Sequence, residues 1–318
     1  MTPSTRSGMD SSLMALIVGF LGCSLATAAG VSLTGALATS VGCLMLLVFG
    51  LPHGTLDLHR IRDQARGPVT GLIVLLTVYL GLAAAMYGVW RFAPVLALVI
   101  FILVAVVHFS EDWTGSGSTL LEKGLALGLL VGPTVLHRAE LDRLFTALTG
   151  RTEAAAVTDA MTLIMPTALI FGVVALAALW SAGHRERAVA GAVALTGMIV
   201  LPPVVGFALY FCLFHSPRHL GESLRAVART RRHVWVRIIL PMTAAAGVIA
   251  AGLYGLELRA DAASRLVAAS FMTLSILTMP HMLAPFVIAW MARPGLIAAY
   301  GAAGANAGMI GIADTSSR

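Results

Sequence analysis

Apolar residues fill this chain in long runs, and arginines with a few acids collect in the short stretches between them. The runs 13–30, 32–51, 69–90, 93–110, 119–136, 157–182, 188–213, 238–256 and 265–292 each approach or exceed the roughly 20 residues a helix needs to cross the hydrocarbon core of a bilayer. No soluble domain interrupts them. The pattern predicts an all-α fold, a polytopic transmembrane helical bundle in which 1–318 is a single integral membrane domain. The longest polar intervals, 137–153 and 216–237, keep leucines or valines among their charges, which predicts helices lying in the membrane interface.

Composition agrees. Of 318 residues, 58% are hydrophobic and 11% charged, and the mean hydropathy is +0.89. A soluble domain carries roughly a quarter charged residues, so most of this surface faces lipid. The net charge of +6 comes from arginines and a single lysine. They sit in loops between apolar runs, where they set topology and offer nothing to a nucleic acid. Cys23, Cys43 and Cys212 are isolated, with no disulfide framework and no thiolate metal site. The first run follows MTPSTRSGMDSS, in which Asp10 offsets Arg6, and a second run follows at once. It therefore reads as the first transmembrane helix, although the small residues from Ala26 to Ala29 also suit a signal-peptide cleavage site.

Arginine placement sharpens the topology. Arg60, Arg62 and Arg66 follow the second run, and Arg218, Arg225, Arg229, Arg231, Arg232 and Arg237 follow the seventh. Both stretches should be cytoplasmic, yet counting the runs puts them on opposite sides. The conflict disappears if one run between Asp112 and His184 does not cross. The weakest is 119–136, which is short, holds Glu122 and Lys123, and breaks at Gly132-Pro133. A re-entrant or interfacial path there also brings Arg138, Arg143 and Arg151 inside. The expectation is about eight crossings with both termini in the cytoplasm.

Nine histidines carry the candidate chemistry. His59, His137, His184 and His233 stand near arginines in predicted loops and read as solvated. His53, His108, His215, His219 and His281 lie at the ends of apolar runs or inside one. Ionisable groups at such depth are costly and face the protein interior or a cavity. One such histidine is usually a packing residue bonded to a carbonyl; five together call for another account. Asp57 and Asp112 each follow a histidine by four residues, on the same face if the chain stays helical. Metal-bound imidazoles commonly donate their second N–H to a carboxylate, so each aspartate could serve its own histidine or one across the bundle, or simply cap a helix end.

Ser216 followed by Pro217 reads as an N-cap with proline at the first helical position. On that reading His215 closes one helix, His219 opens the next, and the two converge through a kink. Pro52 and Pro280 directly precede His53 and His281, so most of these histidines sit near a local break, where freed backbone groups must be buried or line a cavity. Imidazoles suit iron, copper, zinc or nickel. The chain has no HExxH, GxSxG, phosphate-binding loop, dinucleotide fingerprint or CxxCH. A histidine-lined transporter for divalent metal or protons, and a bis-histidine haem protein for electron transfer, are the other classes these residues admit; a transporter would carry acids in mid-span, whereas here they lie at loops and helix ends.

The motifs GLPHGTLD, HFSEDW, FHSPRH and PHM, in that order and at suitable separations, resemble the Brp/Blh family of bacterial and archaeal β-carotene dioxygenases. These are polytopic membrane proteins associated with retinal production, and the helix pattern matches over nearly the whole chain. PHGxxD with a downstream HSxRH carries most of the resemblance. HFSED is looser, because the family often has glycine where this chain has Ser110. The resemblance implies a mononuclear non-haem Fe(II) held by His53, His108, His215 and His219, with His281 as a further ligand or a neighbour of the ligands. Asp57 and Asp112 would orient those imidazoles. It implies β-carotene and O2 as substrates, two molecules of all-trans-retinal as products, and a place in a bacterial or archaeal cytoplasmic membrane. A hydrocarbon rod taken from the bilayer needs an apolar tunnel past the metal. Met86, Trp90, Phe109, Trp113, Phe207, Tyr210, Phe211, Phe214, Met279 and Met282 are the candidate lining.

Overall fold

The structure, a computed structural model, describes residues 10–50, 69–226, 235–257 and 261–291, and among them there are helices and no strands. In chain order the helices are α1 (Ser11–Ala28), α2 (Ala36–Met45, continued as a π-helical turn Leu46–Gly50), α3 (Val69–Phe92), α4 (Pro94–Ser110, continued as a 3-10 turn Glu111–Trp113) and α5 (Thr119–Val131, continued as a 3-10 turn Gly132–Val135). There follow α6 (Arg138–Thr149), α7 (Ala155–Ser181), α8 (Arg185–Val200), α9 (Pro203–Leu209, continued as a π-helical segment Tyr210–His215), α10 (Ser216–Ala226), α11 (Leu240–Leu256) and α12 (Ala262–Met291). Local chemistry sets several boundaries. The Asp10 carboxylate accepts from Ser12 N at 3.1 Å to cap α1, and Pro94, with its fixed φ and missing N–H, opens α4.

The outer faces are as apolar as the core: Leu80, Leu103, Leu163, Ile170 and Val248 are all exposed. Helices apolar on every side belong in lipid. Four helices among the described residues are long and apolar enough to cross a membrane: Ser11–Ala28, Pro94–Trp113, Thr152–Ser181 and Ala262–Leu283. A fifth is added if Thr119–Val135 and Arg138–Thr149, bent by 106°, form one broken span. The expected number of about eight is thus not reached by length and composition alone. The shorter apolar helices Ala36–Gly50, Leu76–Phe92 and Leu240–Leu256 stand beside these.

Two expectations about the path change. First, of the two paths expected for 119–136, re-entrant or interfacial, the interfacial one is not what forms. Leu125, Ala126 and Leu129 of α5 are fully buried, and a Cβ on Gly124 would stand 2.6 Å from Phe171 Cβ of α7. Only a residue without a side chain permits that approach. α5 runs parallel to α8: Leu125 reaches Gly191 near one end, and Gly132 packs on Ile199 near the other. Second, 188–213 is two antiparallel helices, not one run. The chain turns at Leu201-Pro202, and Gly206 of α9 packs back on the Gly197 carbonyl of α8, which an added Cβ would approach to 3.0 Å. That hairpin brings the end of α2 and the end of the π-helical segment after α9 together. The contact is direct, because Ser216 Oγ donates to Phe49 O at 2.8 Å. The consecutive prolines 202 and 203 explain the break, since neither has an N–H to continue the helical ladder.

Ser216 also departs from the sequence expectation. It is no N-cap: its φ and ψ of −62° and −46° are helical, and the chain passes through it from π-helical to α-helical geometry. Its hydroxyl is occupied with the carbonyls of Phe49 and Gly50 instead.

Candidate metal centre

Three helices running in the same direction, α4, α9 and α12, bring histidines to one end of the bundle. The widened π-helical turn shapes the middle arm. Tyr210, Phe211, Cys212, Phe214 and His215 are all buried, so this segment is enclosed on nearly every side. Gly50 makes room for this segment, for a Cβ there would lie 2.5 Å from Phe211 Cε1.

His108 and His215 are 2% and 0% exposed, and their Nε2 atoms face one another at 3.0 Å. His215 Nδ1 donates to Asp112 Oδ2 at 2.8 Å. The same oxygen accepts from the Tyr210 hydroxyl at 2.6 Å, and Oδ1 lies 3.3 Å from His219 Nε2. His219 packs against His215 with ring centroids 4.4 Å apart, and its ring lies 5.6 Å from that of His108. The His281 ring, brought in by α12, is 5.0 Å from His108. Four imidazoles and one carboxylate therefore form one cluster, with His108, His215 and Asp112 buried and His219 and His281 half-buried. Asp112, His215 and His219 alone place possible ligand atoms within 4.8 Å of one another.

Asp112 does not serve His108, four residues before it. The chain tightens into a 3-10 turn at Glu111–Trp113, which swings the carboxylate toward α9 and α10. Fixing the proton of His215 on Nδ1 leaves the lone pair on Nε2, the nitrogen that points at His108. That is the tautomer a metal requires, with the carboxylate placed to aim it. An imidazole-rich donor set of this kind fits a first-row transition metal. His219 is on α10, outside the spans. Burial alone would lower its pKa, but the bond to Asp112 and that carboxylate's charge outweigh burial and raise it above the ordinary histidine value.

The remaining candidates separate. Phe109 and Phe211 touch the site, with ring centroids 4.9 and 5.2 Å from His215. Trp113 stacks on Phe214 at 5.6 Å, nearly parallel, and is fully buried as a packing layer. Trp90 donates to Ser275 Oγ at 2.5 Å, joining α3 to α12; Met86 is buried nearby, and Met279 packs on the core from the side. Met282 is half-buried. Phe207 alone among the ten lines an apolar cavity, described below. His137, expected to be solvated, lies 3.0 Å through Nε2 from Val200 O, and the exposed His184 packs on Gly115. His53, Asp57, His59 and His233 lie outside the described residues. The role that sequence reasoning missed is that of Tyr210, expected as a tunnel wall and found donating to Asp112. Its signal would have been a tyrosine five residues before a histidine, which only a π-helical turn brings together.

The fold and this cluster define a class: an all-helical, lipid-facing bundle with a buried polyhistidine centre at one end. Within that class the chain belongs to the β-carotene 15,15'-dioxygenase family, whose profile matches residues 44–292. It is 31% identical to the β-carotene 15,15'-dioxygenase of an uncultured marine bacterium, 66A03, over 76% of this chain and 90% of that protein. It is 26% identical to the probable β-carotene 15,15'-dioxygenase Blh of Halobacterium salinarum, over 92% and 96% of the two. No solved structure matches the chain.

Proposed function

We propose that this protein is a membrane Fe(II) dioxygenase that cleaves the central double bond of β-carotene with O2, giving two molecules of all-trans-retinal. The observation that carries the reading is the pair of buried imidazole Nε2 atoms 3.0 Å apart, with His215 aimed through Nδ1 by Asp112. The residues that would hold the iron are His108, His215 and His219, together with His53, which the family motif supplies. His281 is a further ligand or a close neighbour of the ligands, and Asp57 has the orienting role in the PHGxxD motif. Bound iron would supply the redox-active centre at which O2 meets the polyene.

The chain's own residues do the rest. Asp112 keeps the His215 proton on Nδ1, and Tyr210 steadies that carboxylate. Phe109 and Phe211 wall the histidines with hydrocarbon, which favours an apolar polyene over water. Both oxygen atoms enter the two aldehydes, so the balance needs no external reductant and no proton donor. Substrate arrives from the bilayer, the phase in which it dissolves.

The test is expression in a β-carotene-producing bacterium, following loss of orange colour and the appearance of retinal. Wild type should bleach the cells, and His53→Ala, His108→Ala, His215→Ala and His219→Ala should not. Purified protein should contain about one iron per chain and no Soret band. Well-inserted wild type that leaves carotene intact overturns the assignment. A Soret band would point to haem, and protein that keeps no metal but moves it across liposomes would point to transport.

A further inference from the structure

Beyond the histidines, toward the other end of the bundle, lies an apolar cavity of about 70 Å³. Every side chain lining it is apolar, including Leu98, Phe101 and Ala105 of α4, Met161 of α7, Phe207 of α9 and Phe271 of α12. The helices that carry His108, His215 and His281 into the centre thus also wall this cavity. Leu98, Phe101, Ala105 and His108 recur at intervals of three and four, so they share one face of α4. Between cavity and centre stand Phe109, Phe207 and Phe211. Phe207 stacks on Phe211 at 5.5 Å and lies 5.9 Å from Phe109.

Depth is the informative quantity. Leu98 precedes His108 by ten residues, and Phe271 precedes His281 by ten, which at 1.5 Å rise per residue is about 15 Å on both helices. With carbon–carbon bonds near 1.5 Å, half of a zigzag C40 polyene with its terminal ring reaches on the order of 15 Å from the central bond. From this match, and resting on the proposed function above, we infer that the cavity seats one terminal ring of the carotenoid, and that its depth sets which double bond lies at the histidines. The cavity at rest is smaller than a ring. Met161, unbranched and adaptable, is the lining residue best able to give way. The three phenylalanines then flank the polyene as it passes toward His215.

Leu98 is the position to test, since among the lining residues of α4 it stands farthest from His108. Leu98→Phe should lower cleavage of β-carotene about 10-fold or more. It should lower cleavage of an apocarotenal much less, because that substrate can place its ringless end in the shortened cavity. Leu98→Ala deepens the seat and should divert part of the product from retinal to two aldehydes of unequal length. As a readout without turnover, β-carotene co-purifying with His215→Ala should fall when Leu98→Phe is added. Equal loss of both substrates, no loss of either, strictly symmetric products from Leu98→Ala, or unchanged carotene retention would overturn the seat. Failure of wild type to make retinal would instead overturn the proposed function.

Discussion

Replacing Asp112 by asparagine keeps the shape of the side chain and removes its charge. In the native site one carboxylate oxygen accepts from both Tyr210 and His215, at 2.6 and 2.8 Å, and the other faces His219 at 3.3 Å. A bond to a charged group contributes about 1.5–3 kcal/mol and a neutral one about 0.5–1.5. The neutral amide therefore weakens each of the two short bonds by about 1 kcal/mol, or about 2 kcal/mol together. If that difference falls on the orientation of His215, metal affinity drops roughly 30-fold at 1.4 kcal/mol per decade. Loss of an outer carboxylate partner typically has an effect of about 10–100-fold. Tyr210→Phe removes one donor but leaves the charge and the bond that aims His215, so metal affinity should fall less than in Asp112→Asn. The assay is iron content of detergent-purified protein after graded chelator treatment, paired with initial rates of retinal formation. Asp112→Asn that retains metal and turnover within about 2-fold of wild type, a change too small for an outer carboxylate partner, would refute the orienting role. So would Tyr210→Phe proving more harmful than Asp112→Asn.

Gly50→Ala puts a Cβ 2.5 Å from Phe211 Cε1. The resulting overpacking should cost about 1–3 kcal/mol and slow retinal formation, and Phe211→Leu in the same chain should restore part of both by opening space. Cysteines introduced at Gln64 and Thr230 should be labelled from the same side of the membrane by an impermeant maleimide; labelling from opposite sides would break the topology. Asp261 accepts from Ser264 N at 2.7 Å at the start of α12, and these bonds to the carboxylate hold its pKa below the ordinary value. Its contribution is complete above the unfolded-state pKa and is lost as pH falls through the lowered folded value. Asp261→Ala should therefore lower the melting temperature near neutral pH, and the difference from wild type should vanish in acid.

The centre was largely readable as a set of residue types. His108, His215, His219 and His281 stand out because titratable groups are rare in runs that otherwise contain only hydrocarbon, and Asp112 because a carboxylate follows a histidine by four. What could not be read was which imidazole Asp112 serves. The recipient, His215, is 103 residues away, and the pairing depends on a 3-10 turn that redirects the side chain. The π-helical segment at Tyr210–His215 was equally hidden, because its extra residue per turn leaves the apolar composition unchanged. The hairpin at Leu201-Pro202 did leave a trace in two consecutive prolines, but hydropathy alone runs straight through them.

Membrane residence and helical class were determined by sequence alone. With 58% hydrophobic residues and no room for polar backbone in lipid, long apolar segments have few alternatives to helices. Family membership was legible for a related reason, since the histidine motifs keep their order and spacing whatever the packing around them. Tertiary structure decided the path between the ends of the bundle, the partner of Asp112, the role of Tyr210, and the alignment of an apolar cavity with the histidines along α4. Each of these depends on the rotation of one helix about its axis relative to another. Such rotations are set by glycine contacts, prolines and altered helical turns, whose consequences appear only when helices distant in sequence meet.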